Sequence, residues 1–301
     1  MACILAEIRR LENHPCTLIY MLIQINEFAP IAPRRFINQC SSMPTRKLEK
    51  VVSLKEIKVA CQECSLNEIC LPVGIGQDDL GRLDSIIDRK RPLTRGDHLF
   101  RIGAPFQALF AVRSGSLKTY ATSEDGQEQV MGFHLPGELV GLDAIADGFH
   151  PLAARALETT SVCEIPFKDL ETLSVQLPGL QRQLLRVMSQ EIRDDEQNMV
   201  ILGQKSAEER LASFLIGLSD RFRRRGFSAT QFNLSMSRSD IGNYLGLALE
   251  TVSRLFTRFQ NEGLLRVDRK HIELLDRDRL CMFAGSKCSS HGTHTARPTS
   301  R

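Results

Sequence analysis

Between residues 92 and 166 the apolar residues fall into short runs separated by turn signals. Candidate strands are His98–Ile102, Ala108–Arg113, Leu117–Thr122, Gln127–Phe133, Ala153–Glu158 and Val162–Ile165. Arg95-Gly96-Asp97, Ser114-Gly115, Glu124-Asp125-Gly126 and Pro136-Gly137 punctuate them. Many short strands at near-regular spacing predict a small sandwich or barrel. From Pro178-Gly179 the period changes. Leu184, Met188, Ile192, Asp195, Met199 and Leu202 step by 4, 4, 3, 4 and 3, the seam of a coiled coil. That spacing equally suits an amphipathic helix lying on its own core. In a parallel pair Asp195 faces its own copy, and two close carboxylates repel. A seam so built pairs only when something else offsets the repulsion.

Further on, Asp240 to Leu255 has helix-turn-helix spacing. Gly242 lets two helices approach, and Gly246 permits a left-handed turn. Ile241, Leu245, Leu247, Val252 and Leu255 supply the apolar contacts, and Ser237 or Ser239 can cap the first helix. The second helix presents Glu250, Ser253 and Arg254 outward near its start, with Arg258 a turn later. The start of a recognition helix is what enters the major groove. There Arg pairs with the guanine edge and Glu accepts from the cytosine amino group. Leu264–Val267 and His271–Leu275, around Asp268-Arg269-Lys270, predict a winged hairpin with a basic tip for phosphates. The expected partner is double-stranded DNA.

The two ends show no such order. Pro30, Pro33 and Pro44 interrupt the first ~55 residues, and Met21 and Met43 are possible internal starts. From Ser286 the chain is rich in Ser, Thr and His and is expected to be a disordered tail. The expected organisation is an extension over 1–57, a sensor over 58–177, a helix over 178–204, a winged helix over 205–285 and the tail over 286–301.

Composition adds two things. The chain has 301 residues and a net charge of +3, a total that does not advertise a polyanion partner. Yet residues 61–200 carry 13 Lys+Arg against 21 Asp+Glu, while residues 201–270 carry 12 against 7. An acidic middle followed by a basic module suits polyanion binding near the C-terminal end, and equally suits ordinary surface variation. Second, nine cysteines is an odd number in a chain much longer than a disulfide-stapled domain. The apolar run Leu18 to Ile25 is too short for a secretory signal, and nothing approaches a membrane span. The expected setting is a reducing cytoplasm, where clustered cysteines bind metal or do redox chemistry.

Cys61, Cys64 and Cys70 put three thiols in ten residues. Thiolates suit an iron–sulfur cluster or zinc, and spacing does not separate the two. A fourth ligand must come from elsewhere. Cys163, in an apolar candidate strand, is the best placed, although a lone cysteine there is more often a core residue. Cys3, Cys16, Cys40, Cys281 and Cys288 have no partner at ligand spacing and are expected to be incidental.

Taken together, the Cys61–Cys64–Cys70 run, Gly132-Phe133-His134-Leu135-Pro136, Gly137-Glu138-Leu139-Val140-Gly141, Ala156 to Pro166, and Ile241 to Arg254 resemble the Fnr/Anr branch of the Crp–Fnr transcription regulators. The resemblance runs from about residue 58 to about 285. It implies an α+β chain: a cyclic-nucleotide-binding-like β-roll sensor, a long dimerisation helix and a C-terminal winged helix-turn-helix domain. It implies a [4Fe–4S] cluster on Cys61, Cys64, Cys70 and Cys163, intact without oxygen, with the homodimer and DNA affinity lost when oxygen degrades it. It also implies that Asp195 opposes association and that Glu250, Ser253 and Arg254 read a TTGAT–N4–ATCAA type palindrome. The loop around Gly126 and the Arg225–Ser228 turn, including Phe227, resemble RNA polymerase contacts. In one respect the chain departs from the cyclic-nucleotide-binding members. Where they carry Arg-Ser or Arg-Thr for the phosphate, it has His150-Pro151, and Pro offers neither hydroxyl nor N–H. No cyclic nucleotide is expected. An iron–sulfur redox enzyme is the competing class, but Gly74-Ile75-Gly76 lacks the third glycine and preceding strand of a nucleotide loop.

Overall fold

The computed structural model describes residues 60–285, all within the compact unit that begins at Ile57. The expectations for the N-terminal extension, the alternative starts, the tail and Cys3, Cys16, Cys40 and Cys288 lie outside the described residues.

A 3-10 turn at Cys61–Glu63 leads through a loop to α1 (Gln77–Ser85). Eight strands follow: β1 (Asp88–Arg89), β2 (His98–Phe100), β3 (Ala108–Ser114), β4 (Leu117–Thr122), β5 (Glu128–His134), β6 (Leu139–Val140), β7 (Ala153–Ala156) and β8 (Ser161–Pro166). They form two antiparallel sheets of order β1-β8-β3-β6 and β2-β7-β4-β5. The β-roll is the sandwich that short, evenly spaced strands predict. All six predicted strands are present with ends moved by one or two residues. Two more, β1 and β6, were not anticipated, because a strand of two residues carries no alternation to read.

Then come α2 (Phe167–Gln176) and α3 (Pro178–Gln204). Pro178 opens α3, where its missing N–H costs nothing. The first part of α3 is anchored: Leu180, Leu184 and Val187 pack with Leu170, Leu173 and Leu177 into the core behind the first sheet. Beyond Met188 the helix loses that support. Ile192 is 59% exposed and Met199 71%, and Leu202 is exposed too. Asp195 lies at the surface among them. The own-core reading therefore holds for the first part of the helix, and the second part carries an exposed apolar stripe.

The C-terminal region holds α4 (Ala207–Arg224), β9 (Gln231–Asn233), α5 (Arg238–Leu245), α6 (Leu249–Asn261), β10 (Leu265–Asp268), β11 (His271–Leu274) and α7 (Arg277–Phe283). The wing is three-stranded, β10-β11-β9. β9 was missed because only Phe232 marks its buried side. One apolar cluster joins the two regions. Val130, Phe133, Leu135 and Leu157 of the β-roll pack with Phe214, Leu215, Ile241, Leu245 and Phe256 of the C-terminal domain. No helix among the described residues is long and apolar enough to cross a membrane.

Candidate cysteine centre and nucleic-acid interface

Cys61, Cys64, Cys70 and Cys163 are all free and line one small cavity. The first three sit on the 3-10 turn and the loop after it, whose turns are closed by bonds such as Cys64 N–H to the Cys61 carbonyl and Cys70 N–H to the Leu66 carbonyl. Cys163 lies in mid-sheet on β8, in register with Arg89 of β1 and Ala111 of β3. The sheet is therefore the fixed wall and the cysteine loop the closing side. Leu66, Leu71, Pro72, Leu83, Ile87, Val112 and Ile165 make the rest of the lining mostly apolar. The space between is about 30 Å³, room for roughly one water.

Burial dominates the thiol chemistry. It pushes Cys61 and Cys70 up to about 12, with Asp84 adding to the effect at Cys61 and the neighbouring cysteines at Cys70. Burial also raises Cys163. Burial therefore favours the neutral thiol at Cys61, Cys70 and Cys163, and thiolates there need cationic charge beside them. Arg89 and Arg113 supply part of it. Arg89 reaches the Cys61 Sγ at 4.0 Å and is held by Asp84, which also accepts from the Cys61 N–H at 2.9 Å. Among the described residues no three His, Cys, Asp or Glu side chains converge closely enough to hold a single metal ion. The donor set is four thiols around one space, the set that iron–sulfur clusters take. Sequence reasoning missed Arg89 and Asp84. Nothing local marks them: Arg89 reaches the site through the β1–β8 pairing, and Asp84 from the end of α1 packed against the cysteine turn. Cys281 was expected to be incidental. It is 1% exposed in the C-terminal core, away from the cysteine cavity.

The second site is local in sequence. Ser237 caps α5, its Oγ accepting from the Asp240 N–H at 3.0 Å while the Asp240 carboxylate accepts from the Ser237 N–H, a complete capping box. Gly246 ends the helix at φ +63°, in the left-handed region that glycine enters freely. At Gly242 a Cβ would lie 2.6 Å from the Leu247 carbonyl oxygen, so the turn passes where only hydrogen fits. α6 then buries Val252, Leu255, Phe256 and Phe259 and turns Glu250, Ser253 and Arg254 to solvent. These three residues share the open face at the start of the helix, the arrangement of a base-reading helix. Arg258 is exposed but committed, bonded to Glu262 at 2.7 Å and paired with Glu208. The wing turn is tight enough to put Arg269 at φ +55°.

Arg225 was expected at a polymerase-facing surface. Its side chain is only 5% exposed: it pairs with Glu138 and donates to the Pro136 carbonyl, tying α4 to the β-roll. Phe227 and Gly126 are exposed as expected. In the β-roll, His150 is buried and stacked on Phe100 with ring centroids 3.7 Å apart. Arg155 donates to Glu128 at 2.7 Å and lies over the Tyr120 ring.

Comparison with known proteins identifies both domains. Residues 90–176 match the cyclic nucleotide-binding domain and residues 209–283 the Crp-like helix-turn-helix domain. The chain is 57% identical over 227 residues to the transcriptional activator protein anr of Pseudomonas aeruginosa, covering 75% of this chain and 93% of that protein. It is 46% identical over 243 residues to the fumarate and nitrate reduction regulatory protein of Escherichia coli, covering 81% and 97%. Among solved structures it is similar to FixK2 from Bradyrhizobium japonicum, with a TM-score of 0.61 and 33% identity over 66% of this chain and 97% of that one. These relatives are transcription regulators rather than enzymes, and with its β-roll and winged helix this chain belongs to the Crp–Fnr family of DNA-binding transcription regulators, on the Fnr/Anr branch.

Proposed function

We propose that this regulator responds to oxygen through a [4Fe–4S] cluster at Cys61, Cys64, Cys70 and Cys163, and in the cluster-loaded state pairs and activates or represses anaerobic promoters. The observation that carries the reading is the convergence on one cavity of four free cysteines from two remote segments of the chain. Bound there, the cluster supplies an oxygen-labile tie between the cysteine loop and β8. The rest of the work belongs to the protein. Core packing through Leu180, Leu184 and Val187 couples α3 to the sheet that carries Cys163. The open stripe of Ile192, Met199 and Leu202 offers the surface for a second copy, with Met188 at the boundary. Asp195 opposes that pairing. Desolvation, then the like charges of Asp194 and Asp143, already hold its carboxyl above the ordinary range in one copy. Pairing sets two α6 helices about one DNA turn, ~34 Å, apart. Glu250, Ser253 and Arg254 then read each half of a TTGAT–N4–ATCAA type palindrome, and each arm alone is weak.

The proposed input is not a cyclic nucleotide. Arg155 is spent on Glu128 and Tyr120, Pro151 offers no donor, and Glu138 of the Gly-Glu-Leu segment is spent on Arg221 and Arg225. For polymerase, the Gly126 loop and Phe227 remain as contact surfaces, without Arg225. The protein acts in the cytoplasm, where its DNA and polymerase are.

Anaerobic purification tests the reading. The expected product is a brown protein that bleaches in air and loses its dimer with its colour. A colourless, zinc-loaded protein that binds its promoter in air would overturn it.

A further inference from the structure

β5 is an edge strand of the second sheet, with one side open. An open edge carries unpaired N–H and C=O groups that proteins cover or blunt. Here the cover is one side chain of the DNA-binding domain. Asn243, on α5, donates from Nδ2 to the Glu128 carbonyl at 2.6 Å and accepts on Oδ1 from the Val130 N–H. That is the pair of bonds one residue of a parallel strand makes with the residues on either side of its partner. Only an amide side chain supplies both a donor and an acceptor in that fixed geometry. Gln129 adds a third bond, Nε2 to the Asn243 carbonyl at 2.8 Å.

A second contact fixes the same helix. Lys118 of β4 is largely buried, with its Nζ 2.8 Å from Asp240 and 3.1 Å from Glu128. Asp240 is the residue that closes the capping box of α5. One sensor side chain thus holds the start of the helix while the sheet edge grips its middle. In this pose Glu250, Ser253 and Arg254 stay open to solvent, so the contact does not cover the reading face.

We propose that Asn243 and Lys118 are positioning residues for DNA recognition: they clip the first helix of the reader to the edge of the sensor sheet and so set the direction in which α6 is presented. A palindrome demands two reading helices at a fixed separation, and a reader that must be ordered at the moment of binding gives up affinity. The inference rests on the winged helix as DNA reader and not on the cluster, so failure of the oxygen reading leaves it standing.

The test uses the full chain and a DNA fragment selected for binding by the parent protein. Asn243→Asp keeps the acceptor for Val130 but turns an oxygen toward the Glu128 carbonyl. Affinity is expected to fall about tenfold, with faster hydrogen exchange in the Glu128–His134 segment and an unchanged dimer fraction by sedimentation. Gln129→Ala and Lys118→Met, both on the sensor side, are expected to show smaller losses in the same direction. They also serve as milder variants should Asn243→Asp fold poorly. Unchanged affinity in all three would overturn the proposal. So would a loss confined to Asn243→Asp with normal exchange in β5, which would make Asn243 a DNA contact, or a loss that follows the dimer fraction.

Discussion

The two sites of this regulator are built in opposite ways. The cysteine centre gathers residues from the loop after Ala60, from β1, from β3 and from β8, and encloses them in apolar walls. The reading face is one turn of one helix, open to water and pre-shaped by caps and glycines within a few residues of it. A buried, non-local site depends on the whole sheet and fails as a unit. An exposed, local one fails residue by residue. The difference also fits the tasks proposed for them: a labile group must be screened from solvent, whereas a base-reading side chain must be free to meet its partner.

The largest expected effect breaks the first site. Cys163→Ala should abolish iron retention and anaerobic promoter activation together, because one missing ligand leaves the sheet side of the centre without a thiol. Iron analysis of anaerobically prepared protein and a promoter reporter check this, and retained iron would move the fourth ligand elsewhere. On the open site the loss should be graded. Arg254→Ala should cost about 1–3 kcal/mol on the preferred site and relax the choice of base at the contacted position. Binding to a panel of single-base variants reads this directly. A uniform loss on all of them would make Arg254 a phosphate contact.

A third prediction probes the seam between the regions. Burial holds His134 down to about 4 from an ordinary 6.5. Between those values the unfolded chain takes up a proton that the folded chain refuses. Stability is therefore full above about pH 6.5 and falls as pH drops toward 4. Urea midpoints across that range should show the fall, and His134→Gln should flatten it. Glu138 behaves as a carboxylate held by Arg221 and Arg225, at about 2, so its contribution disappears only at lower pH still. The smallest effect concerns association. Asp195→Ala should raise the dimer fraction in air, by up to about 1 kcal/mol for a like-charge contact at a surface. An unchanged monomer fraction by sedimentation would remove Asp195 from the seam.

The same contrast decides what the sequence could reveal. Ser237, Gly242, Gly246 and the apolar face of α6 act within a single stretch, so the helix-turn-helix was legible almost to the residue, and so were the strands with clear turns on either side. β1 and β6 were not, since pairing rather than pattern defines them. Cys163 reads by its neighbours as a core residue, and only β8 lying between β1 and β3 puts it opposite the loop. Arg225 illustrates the reverse failure. An arginine in a charged run looks like surface, and its commitment to Glu138 depends on how the domains pack. Lys118 reads in sequence as the solvent side of a strand, and its burial among Leu117–Tyr120, with the need for a partner that follows, depends on how the domains pack.

The uneven support of α3 has a mechanical meaning. Gripped by the sheet core near Leu180 and tied beyond Met188 to the C-terminal domain through Asn198 and Tyr244, it is a lever between the two. Its 27 residues make a rod of about 40 Å, and a tilt of about 5° at the root sweeps the tip through roughly 3 Å. A displacement at the gripped end too slight to disturb the packing there arrives at the far end magnified.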